Sequence, residues 1–347
     1  MMAVLAVATS SPAGVEGGHL VIARSLVAAA REAGHDAHLV ITPDHGFGRL
    51  SASYWQTWKM DISQVNGVKV DQVISLRYPS FALRHPKHLC WLNHTMREYY
   101  DLWPRWTTMI TPRNRLKERI RKTLLRATDA WLLTSNLEKL LAQSRTIQRR
   151  LVDELGIRPD VLWPPPPRRA YRCDRYGEYI FAASRLTPLK RLDLLIRALA
   201  EPAARHVRAV IAGEGEERAA LDQLAAELGV AGRVTFLGRI DEETLLDQLA
   251  GCRAVCFAPV AEDYGLVTVE AFASRKPVIT CSDSGGPTEL VRHEATGLVT
   301  EPTPAALAAA LARVSDDATF AEQLGTRAAE QVATMTWDAA LARLVIV

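Results

Sequence analysis

Apolar residues arrive along this chain in short unbroken runs separated by stretches of helical period, and the alternation is played out twice. In the first half the runs are Val4–Ala8, Ala37–Ile41, Gln72–Ser75, His88–Leu92 and Ala130–Leu133. Consecutive apolar positions of that length fit strands buried on both faces rather than half-exposed ones. Helical period fits Leu20–Ala33, which ends before Gly34, then Leu116–Arg126 and Ile147–Leu155. The run Pro164-Pro165-Pro166-Pro167-Arg168-Arg169 can continue neither element and reads as a stiff connector. Beyond it the alternation restarts, with strands at Tyr179–Ala183, Ala209–Ala212, Val234–Leu237, Ala254–Phe257 and Val278–Cys281. Helices at Leu192–Ala200, Glu217–Leu228, Glu242–Ala250 and Val267–Ser274 separate them, and Trp337-Asp338 opens a last one. Strands spaced by helices predict parallel sheets covered on both faces. The expected fold class is therefore α/β, with two doubly wound Rossmann-like domains facing across a cleft and ligands at the carboxyl ends of the strands. The expected divisions are 1–165, a linker 166–176, 177–333 and a closing segment 334–347. Residues 43–66 read as irregular.

A length of 347 residues agrees with two cores rather than one. No apolar run is long enough to span a bilayer. Met1–Ala8 lacks a basic flank and reads as a buried first strand, although Ala6-Val7-Ala8 resembles a cleavage site. Cys90, Cys173, Cys252, Cys256 and Cys281 lack metal-ligand spacing and fit a reducing cytoplasm. The net charge of +3 is unevenly held: residues 1–170 carry 24 Lys+Arg against 14 Asp+Glu, and the rest 18 against 25. Halves of opposite sign point to domains with different partners. Between Trp103 and Arg126 stand Arg105, Arg113, Arg115, Lys117, Arg119, Arg121, Lys122 and Arg126 against the single acid Glu118. Trp103, Trp106, Met109 and Ile110 lead the segment. One reading is a surface for an anionic or membrane-associated acceptor, on a protein peripheral to the inner membrane face. The other is a solvated helix, because residues 105–126 show no sustained apolar stripe. Aromatic residues are not interleaved with the cations, which argues against nucleic acid.

The candidate chemistry centres on Glu262 and Glu270, which frame Asp263-Tyr264-Gly265-Leu266-Val267-Thr268-Val269. Glu262 lies in the loop after a strand, and Glu270 lies about one turn into the next helix. Gly265 permits close backbone approach, and the amides of Leu266 and Val267 can hold a phosphate. Glu270 can accept two hydrogen bonds from a vicinal diol such as ribose, and Glu262 can position a sugar hydroxyl or a charge developing near the anomeric carbon. The plainer alternative is a solvated helix start favoured by the dipole. Arg185 follows a strand and Lys190 precedes a helix; one can grip phosphate oxygens in pairs and the other supply a mobile charge, unless both are ordinary surface cations. Gly17-Gly18 is either a phosphate-side loop or a simple strand-to-helix turn. His94 is either a ligand-facing group or a packed structural histidine. His85 and His88 read as surface groups. Gly14-Val15-Glu16-Gly17-Gly18 is not the dinucleotide fingerprint a dehydrogenase needs.

Taken in order, Ala183-Ser184-Arg185 with Lys190, Ala212-Gly213-Glu214-Gly215, Val234–Gly238, Glu262–Glu270, Ser284–Glu289 and Gly297-Leu298-Val299 carry a resemblance. The chain resembles retaining glycosyltransferases of family 4 (glycosyl transferases group 1), enzymes of the GT-B fold, most strongly over residues 176–315. The resemblance implies transfer of a sugar from a UDP- or GDP-sugar to a hydroxyl of a glycan, glycolipid or natural product. It implies no metal and no cofactor beyond the nucleotide-sugar co-substrate, in a bacterial cytoplasmic protein. Arg185 and Lys190 would bind the donor diphosphate, Glu270 the ribose and Glu262 the transferred sugar. Arg239 and Ile240 would lie beside the base, Gly17 and Gly18 near the phosphates, and His94 against the sugar or acceptor. Residues 1–165 would be the acceptor side and 177–333 the donor side, with the last helix packing back on the first domain. The departing diphosphate would take the acceptor's proton. Tyr264 stands where many relatives carry phenylalanine. Two other readings share the architecture. One is a nucleotide-sugar epimerase relying on His94 and Glu262; the other is a non-catalytic subunit, against which the intact Arg185, Lys190, Glu262 and Glu270 speak.

Overall fold

In the computed structural model, which describes residues 2–11 and 17–346, the apolar runs are parallel strands in two six-stranded sheets. The chain divides into two units, one running to Pro167 and resuming at Thr336, the other spanning Arg168–Met335.

The first unit contains β1 (Val4–Ser10), α1 (Gly18–Glu32), β2 (Asp36–Thr42), α2 (Leu50–Lys59) and a small antiparallel pair, β3 (Gln64–Val65) and β4 (Val68–Lys69). It continues through β5 (Gln72–Ser75), β6 (His88–Leu92), α3 (Trp103–Met109), α4 (Pro112–Ser135), β7 (Lys139–Ala142), α5 (Arg145–Leu155) and β8 (Asp160–Val161). Its sheet order is β2-β1-β5-β6-β7-β8. Helices cover both faces, so Leu5, Val7, Ile74, Leu89 and Trp91 are fully buried.

The second unit runs β9 (Tyr179–Ala183), α6 (Leu192–Ala200), β10 (Arg208–Ala212), α7 (Arg218–Glu227), β11 (Val234–Gly238), α8 (Glu242–Gly251), β12 (Ala254–Cys256) and α9 (Leu266–Ala273). Then come β13 (Val278–Cys281), α10 (Gly286–Leu290), β14 (Gly297–Thr300), α11 (Pro304–Asp316) and α12 (Ala318–Ala333). The sheet order is β11-β10-β9-β12-β13-β14. Its core gathers Ile180, Ile211, Leu195, Leu199, Ile279 and Leu311. The last helix, α13 (Trp337–Leu344), lies on the first unit, where Trp337 Nε1 donates to Pro166 O at 2.9 Å and Gln72 Nε2 to Leu344 O at 2.6 Å.

Four expectations are corrected. Ala130–Leu133 is not a strand but the last full turn of α4; Leu132 and Leu133 are buried while Trp131 is exposed, and a four-residue apolar run cannot by itself separate strand from helix. The sheet position is taken by β7 instead. Residues 43–66 include a three-turn helix, α2, whose Ser53, Tyr54 and Thr57 face inward. His88 is not a surface group: it opens an interior strand, with Nε2 2.8 Å from Ser75 Oγ, and burial pushes its pKa down to about 3. Finally, α4 leaves Leu116, Ile120 and Leu124, spaced four apart, exposed together with Trp131, so residues 105–126 do carry an apolar stripe, one that shows only once the helix fixes which side is buried.

Candidate functional site

In the second unit the chain order reverses between the neighbouring strands β9 and β12, and at such a switch point the loops leaving two adjacent strands part and open a crevice. The loop after β9 carries Arg185 and Lys190; the loop after β12 carries Glu262. Val260 N donates to Leu189 O at 2.8 Å, tying the two loops together, and Lys190 Nζ reaches Glu262 Oε2 at 2.6 Å. The pair is shielded but open to solvent, with side chains 14% and 19% exposed.

Arg191 anchors this arrangement. It sits in the left-handed region (φ 54°), and its guanidinium reaches both oxygens of Asp283 at 2.7 Å, Ala258 O at 2.9 Å and Pro259 O at 3.1 Å. A planar fork satisfies a carboxylate and two carbonyls at once, which holds the adjacent Lys190 in place. Glu262 is held from behind by Ser284-Gly285-Gly286: its N–H donates to Ser284 O, and its carbonyl accepts from Gly286 N, both at 2.8 Å.

Gly265 then turns the chain into α9 at φ 83°. A Cβ there would lie 2.8 Å from the Phe257 ring and 2.9 Å from Pro287 Cγ, so both space and backbone conformation require glycine. Leu266 and Val267 open the helix, and their N–H groups have no preceding turn to bond. One turn on, the buried Glu270 is ion-paired with the Arg169 guanidinium, which also reaches Glu242 Oε2 at 2.9 Å. Burial lifts the Glu270 carboxyl to about 7, while Arg169 and the neighbouring Tyr171 hydroxyl pull the other way. The Ser184 and Thr268 hydroxyls are buried with no hydrogen-bond partner among the described residues, which is unusual unless a ligand or water serves them.

Thus Lys190 meets Glu262 between the loops after β9 and β12, and Gly265, Leu266, Val267 and Glu270 follow in chain order through the start of α9. Arg185 is exposed just beyond β9, and Arg239 (exposed) and Ile240 (half-buried) just beyond β11, at the same end of the sheet. Gly213-Glu214-Gly215 is a packing turn: Leu186 N donates to Glu214 O at 2.9 Å, and a Cβ on Gly213 would fall 1.8 Å from Ser184 O. Arg169, Tyr171, Arg191 and Asp283 were not singled out from the sequence. Arg169 meets Glu270 across 101 residues, a separation no local pattern encodes.

In the first unit the strand order reverses between β1 and β5. Gly17, in extended conformation, precedes α1, and Gly18 is its first residue; Gly14, Val15 and Glu16 lie outside the described residues. His19 Nε2 is 3.3 Å from an Arg77 guanidinium nitrogen, which belongs to the loop after β5, and Arg77 also lies 3.8 Å from Asp44. His94 follows β6, its Nδ1 2.7 Å from Thr95 O and its ring 5.6 Å from that of Tyr78. Gly17, Gly18 and His94 therefore share one end of the sheet with His19 and Arg77, which the sequence did not flag. Among the described residues no group of three or more His, Cys, Asp or Glu side chains is placed to hold a metal ion.

Residues 168–331 match the family model described as Glycosyl transferases group 1. The fold is that of the GT-B glycosyltransferases. A sucrose-phosphate synthase from Thermosynechococcus elongatus superposes with a TM-score of 0.76 at 18% identity, over 98% of this chain and 97% of that one. The Anabaena protein HepE, solved in complex with UDP and glucose, gives 0.70 at 17% identity over 98% of both chains. A D-inositol 3-phosphate glycosyltransferase of Nocardia farcinica is 34% identical over 230 residues, 59% of this chain and 51% of that protein. The chain spans about half the length of the curated relatives it matches.

Proposed function

We propose that this chain is a retaining, metal-independent glycosyltransferase that moves a sugar from a nucleotide diphosphate sugar to a hydroxyl acceptor. The observation that carries the reading is the junction of β12 and α9. There, a glycine that tolerates no side chain starts a helix whose first two amides have no intrahelical partner, with the Lys190–Glu262 pair on the preceding loops and the buried Glu270 one turn into the helix. Backbone amides and an ammonium suit a diphosphate, and a carboxyl one turn deeper suits the ribose diol. The HepE complex, which holds UDP, supports a uridine donor.

In this reading the acceptor oxygen attacks the anomeric carbon on the face from which the diphosphate departs. The carbon–oxygen bond to the diphosphate breaks, and a diphosphate oxygen takes the acceptor's proton. Lys190, Arg185 and the amides of Leu266 and Val267 stabilise the charge that accumulates on the leaving group. Lys190 has three donors and can keep Glu262 while gripping phosphate. Glu262 faces the transferred sugar, and Arg239 and Ile240 flank the base.

The test is the thermal shift given by UDP, GDP and ADP in the presence of EDTA, for the wild type and Glu270→Ala. A nucleotide at a hundred times its dissociation constant stabilises by about 2.7 kcal/mol. One nucleotide should raise the wild-type midpoint and leave the variant's unmoved. No shift with any of the three, or a shift that appears only with Mg²⁺, would overturn the reading. Proton NMR of the product's anomeric configuration tests retention.

A further inference from the structure

Ten large hydrophobic side chains are exposed among the described residues, and six of them cluster on three consecutive helices of the first unit: Trp55 on α2, Met109 on α3, and Leu116, Ile120, Leu124 and Trp131 on α4. Surface apolar residues scattered singly need no explanation; a contiguous set does. On α4 the positions 116, 120 and 124 follow the i, i+4 rule, and Trp131 returns to the same side seven residues later. The opposite side of the helix buries Glu118, Asp129, Leu132 and Leu133, so the exposed stripe is not the core face misplaced. At 1.5 Å per residue the stripe is about 22 Å long.

Its flanks are cationic and free of acids. Arg113, Arg115, Lys117 and Arg119 are all exposed. Glu118 is turned inward, accepting from Tyr99 Oη at 2.6 Å and from Arg121 at 2.8 Å, and so does not neutralise the surface. Beside the stripe, between α2 and α4, runs an apolar groove of about 580 Å³ whose lining includes Leu50, Trp55, Trp58, Arg121, Leu124 and Trp131. Trp58 and Trp131 pack against each other in its wall, with ring centroids 5.4 Å apart and the rings tilted by 47°. That volume lies within the ordinary range for a small-ligand site.

An apolar stripe bordered by cations, with an adjoining apolar slot, is complementary to one kind of surface: anionic headgroups over hydrocarbon. A polyanion such as nucleic acid would use the arginines and leave Leu116, Ile120 and Leu124 in water. We propose that this face docks on an anionic lipid bilayer, with Leu116, Ile120 and Leu124 entering the acyl boundary and Arg113, Arg115, Lys117 and Arg119 on lipid phosphates. One acyl chain of an anionic lipid occupies the groove between α2 and α4.

The test is co-sedimentation of the full chain with phosphatidylcholine vesicles, with and without phosphatidylglycerol. Phosphatidylglycerol should raise the bound fraction by at least about tenfold, and Arg113→Ala/Arg119→Ala should weaken that binding by roughly 25-fold. Ile120→Glu/Leu124→Glu, both at exposed positions, should abolish binding while leaving the circular dichroism unchanged. With acyl chains brominated, the tryptophan quenching should fall in Trp131→Phe. Equal binding to both vesicle types overturns the proposal, as does a wild-type response from Ile120→Glu/Leu124→Glu, which would mark a merely electrostatic surface. A chain that ignores vesicles but forms a dimer dissolved by that double variant makes the face a self-interface and overturns it as well. Quenching unchanged in Trp131→Phe overturns the occupied groove.

Discussion

Asp129 lies on the inward side of the same helix α4, fully buried, with Tyr54 Oη donating to one carboxylate oxygen at 2.7 Å and Tyr100 Oη to the other at 2.6 Å. The three side chains pin α4 to α2 and to the segment before α3. Burial raises the Asp129 carboxyl to about 7, against the pull of the two hydroxyls. The sign follows from which state holds the proton. Between the unfolded value of 3.8 and the folded value of about 7, the folded chain keeps a proton that the unfolded chain has lost. The contribution to stability is therefore fully present below the unfolded value and is lost as the pH rises through the folded one. Between about pH 5 and about pH 8 this amounts to about 2–3 kcal/mol. Asp129→Asn keeps one carbonyl acceptor for the tyrosines and cannot ionise. The stability of the wild type relative to Asp129→Asn should therefore fall by that amount across the interval. Urea unfolding of both proteins, at several pH values and followed by tryptophan fluorescence, reads the difference directly. Glu270, whose shift has the same sign, cancels because both proteins carry it. A difference that stays level with pH would mean that Asp129 ionises normally in place, and one that grows with pH would mean that the two hydroxyls stabilise the anion; either refutes the reasoning.

Other perturbations address the proposed donor site. Gly265→Ala forces a side chain into φ 83° and against Phe257 and Pro287, and should cost about 2–5 kcal/mol, seen as a lower melting midpoint, together with the loss of any nucleotide shift. A variant that melts like the wild type and still responds to nucleotide would remove the phosphate-cradle argument. Arg191→Lys keeps the charge but not the fork on Asp283, Ala258 and Pro259, and should lower stability by about 1–3 kcal/mol and weaken nucleotide binding several-fold by calorimetry. Unchanged binding would show that Lys190 is positioned without it.

What could be read from the chain was what is local or ordered along it. Unbroken apolar runs such as Val4–Ala8 and Val278–Cys281 announce strands buried on both faces, and the recurring helical period between them implies parallel sheets. Gly265, the helix start behind it and the spacing to Glu270 lie within one strand–turn–helix unit, so their mutual placement is set by covalent connectivity and helix geometry. Short runs without such context misled: Trp131, Leu132 and Leu133 fit a strand as well as a helix until the whole of α4 is seen. The strand order alone places β9 beside β12 and so brings Lys190 to Glu262, 72 residues away. Tertiary packing also decided that Arg169 closes on Glu270, that Arg191 rather than Arg185 is the anchored cation, and that His88 is buried and neutral. Composition showed eight cations near α4, but only the fold determined which side of that helix the core had already taken, and therefore that leucines and arginines share the side left facing water. Periodicity along a chain constrains which residues share a face; the identity of the opposing surface, and with it the burial and charge state of each group, arises only when distant segments pack.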